Sequence, residues 1–230
     1  MLNKDTREIL GQLSQINQSQ IITFPVTTII LGKAIQAFLD LSKLGEEEFG
    51  EIGVFDINQL NSVVSVIDDE NISNDNGTLT IKNDVQSIKY GTTTIDIIES
   101  ECRGNPDLLG RITGNNEKVA EFTIDAKELD RLKKMSGLLK ELSDLVISSS
   151  EGIINLSVTS KEKSSNNYSV NVEGSAVEDI SMSLLMDNIK KLPNSGFDVA
   201  IYKSSKGSLV AVFTSTGVQG LDIILAAKAA

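Results

Sequence analysis

The sequence predicts an α+β protein made of two similar halves, each combining helices with antiparallel strands. Three observations carry this. The order of helix and strand signals over residues 1–110 recurs over residues 111–230. Asp5-Thr6-Arg7-Glu8 and Asp125-Ala126-Lys127-Glu128 share an Asp-x-basic-Glu pattern, an acidic version of the capping box, with an N-cap acceptor and a glutamate three residues on. A length of 230 residues is natural for two ordinary domains, placed at 1–110 and 111–230.

In the first half, Ile9, Leu13 and Ile16 recur at helical spacing after Asp5 and predict the first helix. Short β-rich runs follow at Ile21–Phe24, Val26–Leu31, Ala34–Leu39 and Glu51–Phe55. A second helix is predicted over Asp56–Ile67, with Leu60, Val63, Val64 and Ile67 on one side. Asn76-Gly77 supplies a hairpin turn before Thr78–Lys82. Residues 91–117 hold Gly91, Gly104, Pro106, Gly110 and Gly114 together with Asn115-Asn116, and read as an irregular crossing between domains.

The second half repeats the plan. A helix is predicted from Asp125 to Leu139, then strands at Leu145–Ser149, Gly152–Thr159, Asn167–Glu173 and Ile180–Leu185. A short helix over Met186–Leu192 is closed by Pro193 and Gly196. Strands at Phe197–Lys203, Ser208–Thr214 and Leu221–Ala227 complete it. Two copies of one helix-plus-sheet unit imply one shared geometric role.

Composition removes most enzyme classes. The chain has no histidine and one cysteine, Cys102. That excludes Ser-His-Asp and Cys-His catalysis, histidine metal sites, multi-thiolate zinc and iron–sulfur sites, and any intrachain disulfide. No phosphate-binding Gly-x-x-x-x-Gly-Lys loop, Gly-x-Gly-x-x-Gly or Gly-x-Ser-x-Gly occurs. Asp68-Asp69-Glu70 has the chemistry to hold Mg²⁺ but reads as a solvated turn. The expectation is a protein without enzymatic activity or cofactor. No apolar run is long enough to span a bilayer, and Met1–Asp5 lacks the apolar core of a signal peptide, so an intracellular protein is expected.

The net charge is −11, unlike the basic balance of most nucleic-acid binders. Its distribution matters more. Residues 1–110 carry 7 Lys/Arg against 17 Asp/Glu, whereas residues 111–230 carry 14 against 15. On a helical wheel from Asp125, Leu129, Leu132, Ser136 and Leu139 take one side. Lys127, Arg131 and Lys134 form a stripe opposite, without an anion among them, and Lys133 lies between the two. The first helix sets Lys4 and Arg7 away from its apolar side, with Glu8 the exception. The second offers Asn58, Asn61, Ser62 and Ser65, and the short helix offers Lys190 and Lys191 with Asp187 among them. Neutral or basic helix faces on an acidic chain predict a positive lining that neutralises phosphates without reading sequence. No recognition-helix framework and no aromatic stacking platform is present.

Three stretches then resemble a known family. They are Leu2-Asn3-Lys4-Asp5-Thr6 through Leu10 to Ile16-Asn17; Phe55-Asp56-Ile57-Asn58-Gln59-Leu60 through Val66–Ser73 to the Gly77–Lys82 hairpin; and Asp125–Leu139 with the strands after it. The chain resembles the DNA polymerase sliding clamps of T-even-type bacteriophages and their marine relatives. The resemblance implies a DNA-clamp fold, two domains per chain, and a homotrimeric ring with helices lining the hole. It also implies non-specific double-stranded DNA, a replicative DNA polymerase and a clamp-loader ATPase as partners, in the cytoplasm of an infected bacterial cell, with no membrane. DNA-facing roles pass to Lys4, Arg7, Lys127, Arg131, Lys133, Lys134, Lys190 and Lys191. Residues 91–117 fall where clamps carry the interdomain connector, beside an apolar pocket for partner peptides. The acidic half meeting the more neutral half head to tail gives an interface that closes by rotation. A ring- or tube-forming viral structural protein is the alternative; it accounts for assembly and acidity but not for the basic stripe.

Overall fold

Asn3, rather than Asp5, starts the first helix. Its side-chain oxygen accepts from the Thr6 N–H at 2.9 Å and caps α1 (Lys4–Leu13). The Asn3 N–H donates to Glu46 Oε1 at 2.7 Å, which fixes the cap on the body of the fold. Asp5, one residue inside the helix, favours its positive end instead. The computed structural model describes residues 2–46, 50–67, 71–75, 77–139, 142–160 and 166–228. The chain divides into two compact units, Met1–Pro106 with Gln219–Leu221, and Asp107–Val218 with Asp222–Ala230.

In the first unit, β1 (Gln20–Thr23), β2 (Thr27–Gly32), β3 (Ile35–Asp40) and β4 (Glu51–Val54) follow α1. β1 pairs antiparallel with β4, and β2 with β3. α2 (Ile57–Val64) begins at Asp56, whose carboxylate accepts from the N–H groups of Asn58 and Gln59. It buries Ile57, Leu60 and Val64 at helical spacing. It is shorter than its sequence pattern because Ser65 adopts the C-cap. A three-stranded antiparallel sheet follows, β5 (Asn71–Asp75), β6 (Thr78–Lys82) and β7 (Ser87–Gly91). Gly77 takes φ +84 at the hairpin, where a side chain would be strained. Asn76 and Asp68-Asp69-Glu70 lie outside the described residues.

The segment read as an irregular crossing contains two helices, α3 (Ile95–Cys102) and α4 (Leu108–Asn115). α3 lays Ile95, Ile98 and Cys102 on Ile21 of β1, which is what holds it in a glycine-rich stretch. α4 opens the second unit. After it, β8 (Glu117–Ile124) buries Val119, Ala120, Phe122 and Ile124. α5 (Ala126–Leu138) follows, capped by Asp125 accepting from the Glu128 N–H at 2.6 Å.

The remaining elements are β9 (Asp144–Ser150), β10 (Ile153–Thr159), β11 (Tyr168–Val172), β12 (Gly174–Ala176), β13 (Ser181–Leu185), α6 (Met186–Lys190), β14 (Phe197–Lys203), β15 (Leu209–Ser215) and β16 (Leu221–Ala226). One antiparallel sheet runs β11-β10-β9-β13, and a second runs β12-β8-β14-β15-β16. Ile154, Leu156 and Val158 alternate inward from less buried Asn155 and Ser157 along β10, the period-2 signature of a sheet with one covered face. Phe197 and Phe213 meet edge to face, centroids 5.9 Å apart, a geometry that adds about 0.5–1.5 kcal/mol beyond burial. Near the C-terminus, Lys228 forms an ion pair with Asp144, itself 4% exposed.

Candidate nucleic-acid interface

Each unit places two helices side by side. In the first, α1 and α2 approach at Gly11, where a Cβ would stand 2.9 Å from Asn61 Nδ2. Asn61 donates across the gap to the Arg7 carbonyl at 2.9 Å, and Asn58 donates to Ser14 Oγ at 3.0 Å. The outward residues of α2 are therefore spent on short polar bonds: Ser62 Oγ donates to the Asn58 carbonyl and Ser65 Oγ to the Ser62 carbonyl. What remains is a neutral surface, with Lys4 exposed on the first turn of α1 and Arg7 half-buried.

In the second unit, α5 packs against α6. Leu129, Leu132 and Ser136 are buried, while Lys127, Arg131 and Lys134 are exposed, as the wheel requires. The stripe is not free of anions. Arg131 Nη1 donates to Glu128 Oε2 at 2.6 Å, and Lys134 pairs with Asp130 at 2.6 Å. Spacings of three and four residues put these partners on one helical surface, a signal present in the sequence that a wheel of cations alone overlooks. Glu128 is further held by the Tyr168 hydroxyl of β11, which donates to Oε1 at 2.8 Å. Hydrogen bonding with Tyr168, then the charge of Glu128, holds the Arg131 guanidinium above its usual range.

Lys133 behaves differently from its neighbours. Its ammonium donates to the Leu192 carbonyl at 2.6 Å and lies 3.4 Å from Asn194 Oδ1. Burial lowers its pKa, opposed by the charge of Asp130. Its charge closes the turn after α6 instead of standing on the cationic face. On α6, Lys190 is 4.0 Å from Asp187, and Lys191 is half-buried. Among the described residues, Lys4, Lys127 and Lys191 face no carboxylate partner.

The first unit also holds an open cavity of about 320 Å³ under the end of α3. Ile21, Val26, Ile29, Cys102, Gly104 and Pro106 line it, with Glu51 and Arg103 bonded to each other in its wall. The Cys102 thiol donates to the Ser19 carbonyl, and burial raises its pKa, so it stays protonated and unreactive near neutrality. No helix of the described residues is long and apolar enough to cross a membrane, and no group of acidic residues or cysteine among them is arranged to hold a metal ion.

No family model and no curated protein sequence matches the chain. Solved structures do. The Proliferating Cellular Nuclear Antigen of Entamoeba histolytica superposes with a TM-score of 0.64 at 13% identity, over 97% of this chain and 94% of that one. The PCNA2–PCNA3 complex of Sulfolobus tokodaii gives 0.64 at 12% identity, over 96% and 95%. A. fulgidus PCNA, solved with the C-terminal region of FEN-1 bound, gives 0.65 at 14% identity, over 97% and 95%. The likeness runs nearly end to end in both directions and establishes the DNA-clamp fold.

Proposed function

We propose that this chain is the subunit of a sliding clamp: a ring that encircles duplex DNA and tethers a replicative polymerase without reading sequence or performing catalysis. The observation that carries the reading is the conjunction of a clamp fold along the whole chain with helix faces that are neutral in one unit and cationic in the other. The sequence stretches that resemble T-even-type phage clamps favour a viral replication protein acting in an infected bacterial cell, placed on DNA by a clamp-loader ATPase.

Two sheet edges supply a route to the ring. β7 lies at one edge of its sheet and β11 at one edge of the other, each paired on a single side among the described strands. The edge at β13 is partly used, because the Lys228 N–H donates to the Ser183 carbonyl. β7 offers half-buried Ile88 and Tyr90, and β11 offers Tyr168, Val170 and Val172, so antiparallel pairing between copies joins two partly apolar rows. Such a contact is head to tail, and repetition closes it into a homotrimer of six units. The apolar cavity beneath α3 is our candidate for the partner-peptide pocket.

The test is charge reversal on α5. Lys127→Glu, Arg131→Glu and Lys134→Glu together are expected to abolish measurable binding to random duplex DNA and the stimulation of polymerase, with native mass unchanged. Undiminished binding by this variant contradicts the DNA-facing role of α5.

A further inference from the structure

We infer that Asp130 and Asp187, together with Glu128, are competitor carboxylates: they hold Lys134, Lys190 and Arg131 when no phosphate is near, and thereby keep the DNA contact loose. The inference rests on the reading of α5 and α6 as a DNA-facing surface and deepens it.

The geometry is repeated. Arg131 pairs with Glu128 and Lys190 with Asp187 at a spacing of three residues, and Lys134 with Asp130 at four. In every case the anion belongs to the same helix as the cation, so it arrives with the surface and is never left behind on another element. A phosphate reaching Lys134 must take over a charge-assisted bond already made at 2.6 Å, and Asp130 then remains beside it as an uncompensated anion. The exchange is close to balanced. Lys127 and Lys191, which face no carboxylate among the described residues, are left to supply most of the attraction on these helices.

The three carboxylates are not equally placed. The side chains of Asp130 and Asp187 are 47% and 89% exposed, and among the described residues Asp187 pairs with Lys190 alone. Glu128 is only 16% exposed and is fixed from both sides, by Arg131 and by the Tyr168 hydroxyl on β11. Replacing Glu128 would disturb the strand as well as the charge. Asp130 and Asp187 are therefore the clean test positions. A sliding ring needs many weak contacts more than a few strong ones, because topology retains it on DNA while tight phosphate binding stalls it. Counter-charges carried within the helices lower the affinity of each contact without removing the cation that guides the duplex.

The experiment compares Asp130→Asn, Asp187→Asn and their combination with the wild-type chain. Binding to a random fluorescent duplex is measured by anisotropy from about 50 to 300 mM salt, with native mass recorded for each protein. Asp198→Asn serves as the control: it makes the same charge change on the exposed face of β14, where the side chain bonds Thr123 instead of a cation. The double variant is expected to bind about threefold or more tightly at low salt, with the gain fading as salt rises. Its log affinity against log salt is expected to steepen by about 0.9 for each cation released to a phosphate. Wild-type binding that the double variant leaves unchanged, or changes no more than Asp198→Asn does, overturns the competition while leaving the DNA-facing reading in place. Absence of binding by all the proteins overturns both.

Discussion

Lys133 Nζ donates to the Leu192 carbonyl at 2.6 Å, joining the middle of α5 to the turn that ends α6. This bond separates Lys133 from the cations beside it. Replacing Lys133 with Met leaves the carbonyl without its donor and is expected to cost roughly 1–3 kcal/mol of stability. DNA affinity is expected to fall far less than in Lys127→Met. Denaturant unfolding and duplex binding of the two variants, side by side, check this; equal loss of DNA affinity with no loss of stability contradicts it.

The same lysine predicts a pH dependence. Burial sets its folded pKa below the usual value of 10.5, so the unfolded chain binds the proton more tightly. Between the two values the unfolded state carries more protons, and stability rises with pH there. Wild-type stability relative to Lys133→Met is expected to increase as pH climbs toward 10.5. A constant difference across that window rules out the shift.

Asp144 supports a second structural prediction. It is 4% exposed, and its carboxylate is shared between the Lys228 ammonium and the Ser143 hydroxyl. Lys228→Met leaves a buried anion with a hydroxyl alone and is expected to destabilise the second unit by about 3–5 kcal/mol. Asp144→Asn combined with Lys228→Met is expected to recover part of that loss, because no charge is then stranded. A double variant no more stable than the single contradicts the account.

Gly104 tests the cavity of the first unit. A Cβ there would stand 2.4 Å from Ile29 Cγ2 and 2.6 Å from Gln36 Nε2, so something must move. Gly104→Ala is expected to cost about 1–3 kcal/mol and to narrow the cavity, weakening capture of a polymerase tail peptide by calorimetry. Wild-type stability and peptide affinity in Gly104→Ala argue against both the close approach and the pocket.

Most strands after Asp144, and α5 itself, were legible in the sequence because burial there alternates cleanly, as in Ile154, Leu156 and Val158, or recurs at helical spacing. β7 and β8 carry no clear mark in the sequence. β7 has no fully buried residue to mark it, and the adjacent pair Val119-Ala120 blurs the alternation of β8. α3 was hidden among glycines, although Ile95, Ile98 and Cys102 carried its period. Asp5 and Glu8 imitate a capping box just past the true cap; what decides for Asn3 is its anchorage to Glu46 and Leu44, contacts more than 40 positions away. At the candidate site the cations were legible by residue type. The tie of Glu128 to Tyr168, forty positions apart, and the inward turn of Lys133 depend on tertiary contacts that no local pattern records.

Native mass by light scattering, across a wide range of protein concentration, tests the central claim most directly. The account predicts that the mass rises to three times the 24.8 kDa of the chain and goes no further, as a closed ring requires. A stable mass of 24.8 kDa at every concentration would leave no ring to hold DNA and would contradict the proposed function.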